Sequence, residues 1–208
     1  KYGVSDHQIY DAFRQAKQRG VRRFGLHTML ASNELNYQYM VQTAQMLLEL
    51  VAEISSQEGI QFEFINIGGG LGIPYKPGVP PLDLEAMARE ITLLFNQFDD
   101  EHGYRPALYM ESGRYITGPH GVLVTTAINR KEIYRTYIGV DASMSALMRP
   151  GMYGAYHHID VPYKEGNDAT EVVDVVGSLC ENNDKFAVQR ELPKINDGDT
   201  IIIQDTGA

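Results

Sequence analysis

Between Phe24 and Met110 the chain alternates short apolar runs with long amphipathic ones, and that alternation is the strongest constraint on its fold. The short runs, around Phe24 to His27, from Phe62 to Ile67 and from Ala107 to Met110, have the length of strands and the near-continuous apolar character of strands buried on both faces. One long stretch, about Tyr37 to Ser56, sets Met40, Ala44, Leu47, Leu48, Val51 and Ile54 on one helical face; the other does the same with Leu84, Met87, Ile91, Leu94, Phe95 and Phe98. An earlier helix over residues 6–19 is announced by Ser5 and Gln8, a capping-box pair, and closed by Gly20. The spacing therefore predicts an α/β fold in which parallel strands are covered by helices, three or so units that fit part of a (β/α) barrel.

From about Gly121 the pattern changes to strands without helices, predicted at Val122 to Ile128, Ile133 to Val140, His158 to Pro162, Glu171 to Val176 and Thr200 to Gln204. This reads as part of an all-β domain, a sandwich or barrel, over residues 120–208, with residues 1–119 as the barrel portion. Both ends look cut, since the chain opens on Lys1-Tyr2-Gly3-Val4 directly before a helix and stops at Ala208 straight after a strand.

The charge balance, 18 Lys and Arg against 27 Asp and Glu for a net −9, leaves no basic stripe to neutralise a phosphate backbone, so nucleic acid is not an expected partner. No apolar run has the roughly 18 residues of a membrane span and no basic-then-apolar leader is present, which predicts no membrane partner and a cytoplasmic protein. The single cysteine, Cys180, can form no internal disulfide; it is either core filler or chemistry. His157 and His158, adjacent on an expected strand, would point to opposite faces, and no metal site is expected.

Three strand ends carry groups of chemical interest. The second strand runs into Gly68-Gly69-Gly70-Leu71-Gly72, where missing side chains let backbone amides approach an anion such as phosphate, or simply permit a tight turn. The third delivers Glu111-Ser112-Gly113-Arg114, and the first is followed by His27 and Ser32. In parallel barrels the functional groups gather at such C-terminal ends.

Together with Arg149-Pro150-Gly151-Met152-Tyr153, Gly177-Ser178-Leu179-Cys180-Glu181, Arg190-Glu191-Leu192-Pro193 and Asp205-Thr206-Gly207-Ala208, these motifs occur in an order that resembles the diaminopimelate decarboxylases. Those are fold-type III enzymes that depend on pyridoxal 5′-phosphate. The resemblance covers essentially the whole chain. It implies that Ser32, Gly68, Gly69, Gly70 and the Gly113-Arg114 backbone hold the cofactor phosphate, and that Glu111 pairs with the pyridine nitrogen. Arg114 and Arg149 would grip a substrate carboxylate with Tyr153 beside them, Glu181 would read the distal ammonium, and Cys180 would return a proton to the α-carbon across a homodimer interface with shared active sites. The implied reaction is decarboxylation of meso-diaminopimelate to L-lysine, in lysine biosynthesis. Glu181 favours this substrate, because ornithine-type relatives usually carry Asp after the cysteine and carboxynorspermidine decarboxylases neither acid.

The sequence departs from that family at two places: Met29 stands where a second histidine would stack on the cofactor ring, and Ser112 replaces a proline. None of the lysines, Lys1, Lys17, Lys76, Lys131, Lys164, Lys185 and Lys194, has the Ala-x-Lys-Ala-Asn context of the family's Schiff-base lysine, so this segment alone is expected to be inactive. The alternatives are an inactive homologue serving as a binding or regulatory partner, and a decarboxylase of another diamine-type amino acid such as ornithine or carboxynorspermidine.

Overall fold

The computed structural model describes residues 2–164, 166 and 169–208. The chain divides into two compact units, one formed by Lys1–Gly72 with Pro81–Ser112, the other by Ile73–Pro80 with Gly113–Ala208. No helix among the described residues is long and apolar enough to cross a membrane.

In the first unit, α1 (Asp6–Gln18), β1 (Phe24–His27), α2 (Gln38–Glu58), β2 (Phe62–Asn66), α3 (Leu84–His102) and β3 (Ala107–Tyr109) follow one another, and the strands pair in parallel in the order β1-β2-β3. The Ser5 amide donates to Gln8 Oε1 at 3.1 Å, closing the expected box at the start of α1, and the Asp83 carboxylate accepts from the Ala86 amide at 2.9 Å at the start of α3. The predicted helical stripe is the buried one: Met40, Ala44, Leu47, Leu48, Val51 and Ile54 of α2 all lie in the core with Phe62 and Ile65 of β2. Phe13 of α1 meets the Phe62 ring edge-on at 4.9 Å between centroids. β3 departs from expectation, because its three residues are all exposed; it pairs on one side only, with β2, and its apolar composition does not by itself bury it.

After the Ile73–Pro80 segment, the second unit continues with a short helix, α4 (Gly113–Thr117), and a 3-10 turn (Gly118–His120). A six-stranded sheet follows, made of β4 (Leu123–Glu132), β5 (Thr136–Val140), β6 (Ile159–Asp160), β7 (Thr170–Val176), β8 (Lys185–Pro193) and β9 (Thr200–Ile203) in the order β6-β9-β4-β5-β7-β8. Only β5 and β7 pair in parallel. Ile138, Val140, Val173, Val175, Phe186, Ile201 and Ile203 are buried together in its core.

Four expectations are corrected here. The stretch after Gly121 is not free of helices, since α5 (Arg149–Tyr153) forms where Pro150 can occupy the first turn without losing a needed amide bond. β8 went unforeseen because its polar residues and terminal Pro193 disguise a strand that pairs with β7. Ile133 and Tyr134, expected in a strand, form the exposed hairpin turn between β4 and β5, where the Ile133 amide donates to the Arg135 carbonyl at 3.1 Å. His157 and His158 precede β6 rather than sitting on it, although their surroundings do differ.

Arg130 of β4 reaches across β5 to Glu171 of β7, donating two bonds of 2.7 Å to its two oxygens, and also meets Glu132 at 2.8 Å and the Ile195 carbonyl at 3.3 Å. The guanidinium holds the Glu171 carboxyl below the usual carboxylate range. A depressed carboxyl pKa contributes stability above its unfolded-state value and loses it as pH falls through the folded one. Urea midpoints measured from pH 7 down to pH 3 should therefore fall at the acid end. Arg130→Met should cost about 1–3 kcal/mol at neutral pH and flatten that acid dependence, and an unchanged pH slope would refute the assignment.

Candidate active site

The first unit assembles its polar residues at the C-terminal ends of the three strands. Register pairs His27 with Asn66 and Asn66 with Tyr109, so the residues that follow each strand emerge at one rim. Gly68, Gly69 and Gly70 pack against backbone there: a Cβ on Gly69 would collide with the Glu111 carbonyl, one on Gly70 with the Ala31 carbonyl, and one on Gly68 would come 2.5 Å from the Thr28 carbonyl. Gly68 and Gly70 also take φ of 72° and 96°. Both constraints demand glycine, and together they draw the loops after all three strands into contact. Ser32 is exposed, next to the Ala31 that covers Gly70.

Glu111 is exposed and anchored by a residue the sequence reading passed over. Asn66, the last residue of β2, donates from Nδ2 to Glu111 Oε1 at 2.7 Å and accepts the Gly68 amide on Oδ1 at 2.9 Å. An amide at the C-terminal end of a mainly apolar strand was the available clue. His27 Nε2 stands 3.5 Å from the same Glu111 oxygen, and no Lys or Arg among the described residues lies within 4.0 Å of that carboxylate. Met29, about half exposed, lays its sulfur 3.1 Å from the Gly69 amide. The Ser112 hydroxyl is buried and has no hydrogen-bond partner among the described residues.

In the second unit Arg149 begins α5, and Gly151 lets that helix press on the Asn183 carbonyl, with which any Cβ would collide. This places α5 beside the turn that carries Cys180 and Glu181. The turn is built around Asp184, 3% exposed, whose carboxylate accepts the Met144 amide at 2.6 Å and the Leu179 amide at 2.7 Å. Sequence reasoning did not single out Asp184 either. Glu181 is exposed and accepts the Asn183 amide at 2.8 Å. Cys180 is exposed, so it is not core filler. Tyr153 is likewise exposed.

The Arg149 guanidinium lies over the Tyr75 ring, 4.3 Å from its centroid, and Nη1 is 2.8 Å from His157 Nε2. Burial and the neighbouring charge of Arg114 both act to hold the Arg149 pKa below its usual value. Among the described residues neither arginine has a carboxylate within 4.0 Å. Guanidinium groups without a carboxylate partner among the described residues are suited to receive an anion from outside the chain.

The chain belongs to the pyridoxal-dependent decarboxylases, on a match that runs through both units. The family model described as the C-terminal sheet domain of pyridoxal-dependent decarboxylases matches residues 7–207, and pyridoxal phosphate is the cofactor that membership brings. The chain is 40% identical over 209 residues to a diaminopimelate decarboxylase of Methanothermobacter thermautotrophicus, covering all of this chain and 49% of that protein. It is 49% identical over 208 residues to the Protein TabA of Pseudomonas amygdali pv. tabaci, with the same coverage. The solved structure of a diaminopimelate decarboxylase from M. jannaschii in complex with L-lysine superposes with a TM-score of 0.88 at 32% identity, over all of this chain and 48% of that one. The chain spans about half the length of these relatives.

Proposed function

We propose that the protein to which this chain belongs removes a carboxylate from meso-diaminopimelate, giving L-lysine in lysine biosynthesis, with pyridoxal phosphate as cofactor in a homodimer with shared active sites. The observation that carries the reading is Glu111, held by Asn66 at a rim of strand C-terminal ends with no strong cation of its own. Two features support a cofactor at the same rim: the glycine run closes one side, and the Ser112 hydroxyl, without a hydrogen-bond partner among the described residues, lies in the segment that joins Glu111 to Gly113. Gly68, Gly69, Gly70, Ser32, Gly113 and Arg114 would hold the phosphate through short side chains and backbone amides.

When bound, the cofactor supplies an electron sink for the pair left on the α-carbon as the bond to CO2 breaks. Glu111 keeps the ring nitrogen protonated, which is what gives the sink its strength. Arg114 and Arg149, beside Tyr153, grip the substrate carboxylate that is retained, and Glu181 pairs with the distal ammonium. Cys180 returns the proton to the α-carbon, completing the balance of one CO2 lost and one proton gained. None of the chain's own lysines stands in the context of the family's Schiff-base lysine, so the segment alone would be inactive.

The test is to assay the purified full-length protein with pyridoxal phosphate against meso-diaminopimelate, ornithine and carboxynorspermidine, following CO2 release. Diaminopimelate should be preferred by at least about tenfold in kcat/KM, a difference of about 1.4 kcal/mol in transition-state binding. The panel matters because TabA, at 49% identity, bears a name that states no reaction. Preference for another amino acid would overturn the substrate assignment, and no CO2 from any would favour a binding partner over an enzyme.

A further inference from the structure

We infer that His157 is a positioning residue that holds the Arg149 guanidinium ready for the substrate's retained carboxylate, acting as an uncharged hydrogen-bond acceptor. The inference deepens the proposed role of Arg149 and rests on it. His157 is completely buried in the second unit. Its Nδ1 lies 2.8 Å from the Gln204 carbonyl oxygen, which can only accept, so Nδ1 carries the hydrogen. Its Nε2 lies 2.8 Å from Arg149 Nη1, which can only donate, so Nε2 presents a lone pair. The two partners together leave one consistent form, the neutral Nδ1–H tautomer.

The imidazole is also fixed against rotation and shift. Tyr75 meets it edge-on at 4.9 Å between centroids, the same ring over which Arg149 lies. Its backbone carbonyl accepts from Arg190 Nη1 at 2.9 Å, and Arg190 in turn stacks on Tyr156 at 3.8 Å. Gln204 is tied down by its own bonds, its amide to the His158 carbonyl at 2.8 Å and its Nε2 to Asp160 at 2.6 Å. Burial and the charges of Arg149 and Arg114 hold the His157 pKa below its usual value against the opposing pull of the Gln204 carbonyl and Asp205, in keeping with a neutral ring.

An arginine gripping a carboxylate is ordinarily oriented by an acidic neighbour, which would also neutralise part of its charge. A neutral acceptor orients the guanidinium and leaves its full charge for the ligand. The Tyr75 face supports the cation in the same way, by a quadrupole rather than an opposite charge. A histidine that merely fills the core would not need Arg149 at all, and that difference can be measured.

The experiment compares His157→Phe, His157→Gln, Arg149→Met and the His157→Phe/Arg149→Met pair in the full-length holoenzyme. His157→Phe should raise KM for meso-diaminopimelate about 10- to 100-fold with a much smaller change in kcat, and unchanged cofactor absorbance. His157→Gln, which can accept from Arg149 and donate to Gln204, should recover most of the loss, and His157→Phe should add nothing once Arg149 is Met. In wild-type enzyme the 15N resonances of His157 should report the neutral Nδ1–H tautomer between pH 6 and 8. Its Nε2 shift should move on saturation with L-lysine, which a packing role would not produce. If Arg149→Met leaves KM unaltered, the assignment of Arg149 fails. If Arg149→Met weakens binding while His157→Phe does not, or the two losses add, the inference fails alone. Should His157→Phe not fold, the resonances decide: an Nε2–H or charged ring, or an Nε2 shift indifferent to L-lysine, overturns it.

Discussion

Replacing Glu111 by Gln in the full-length protein is expected to lower turnover about 10²–10³-fold while leaving the thermal midpoint where it was. The two halves of that expectation come from different parts of the structure. Glutamine keeps an oxygen able to accept from Asn66 Nδ2, and the side chain is exposed, so neither a buried contact nor the bond that anchors residue 111 need be lost. What disappears is the negative charge, the one property that would hold a pyridine nitrogen in its protonated form. Asn66→Leu should act on the same function from behind, removing the donor that aims Glu111 and freeing the Gly68 amide, with a smaller loss of activity. Steady-state CO2 release with thermal unfolding on each variant checks both. Turnover within about threefold of wild type in the Glu111→Gln protein would remove the carboxylate from the ring nitrogen.

What could be read from the sequence was whatever depends on periodicity. The stripe from Met40 to Ile54 is a helix face because burial repeats every three to four residues, and the Gly68–Gly70 run announces a crowded turn because only glycine tolerates one. Glu111 and the strand-end location of its segment were visible for the same reason. Features that arise from distant pairing were not. β8 exists because β7 offers it a partner, α5 is a single short turn too brief to show a period, and Ile73–Pro80 joins the second unit although it falls inside the first in sequence order. The missed site residues share that origin. Asn66, Asp184 and His157 are polar groups whose meaning lies in the partner each meets: Glu111 45 positions away, Met144 40 away, Gln204 47 away. The expectation that His157 and His158 point to opposite faces of a strand rested on a strand that begins only at Ile159.

Cys180 provides the other large effect, and its exposure changes what the experiment must look for. A buried sulfur would have registered in stability. An exposed one should not, so Cys180→Ala is expected to shift unfolding by no more than about 0.5 kcal/mol. Its turn is held instead by Asp184, which binds the Leu179 and Met144 amides and accepts nothing from the cysteine side chain, so the backbone that carries residue 180 stays in place when the thiol goes. Loss of turnover in this variant would then report chemistry alone. If Cys180 returns the proton to the α-carbon, full-length Cys180→Ala should lose about 10²–10⁴-fold in amine formation, the range spanned by a single positioned proton donor. Protonation at the wrong carbon would release an aldehyde in place of the amine. CO2, amine and aldehyde measured together on the one variant separate these routes: CO2 release with aldehyde marks a misplaced proton, whereas wild-type amine yield with no aldehyde would take Cys180 out of the reaction.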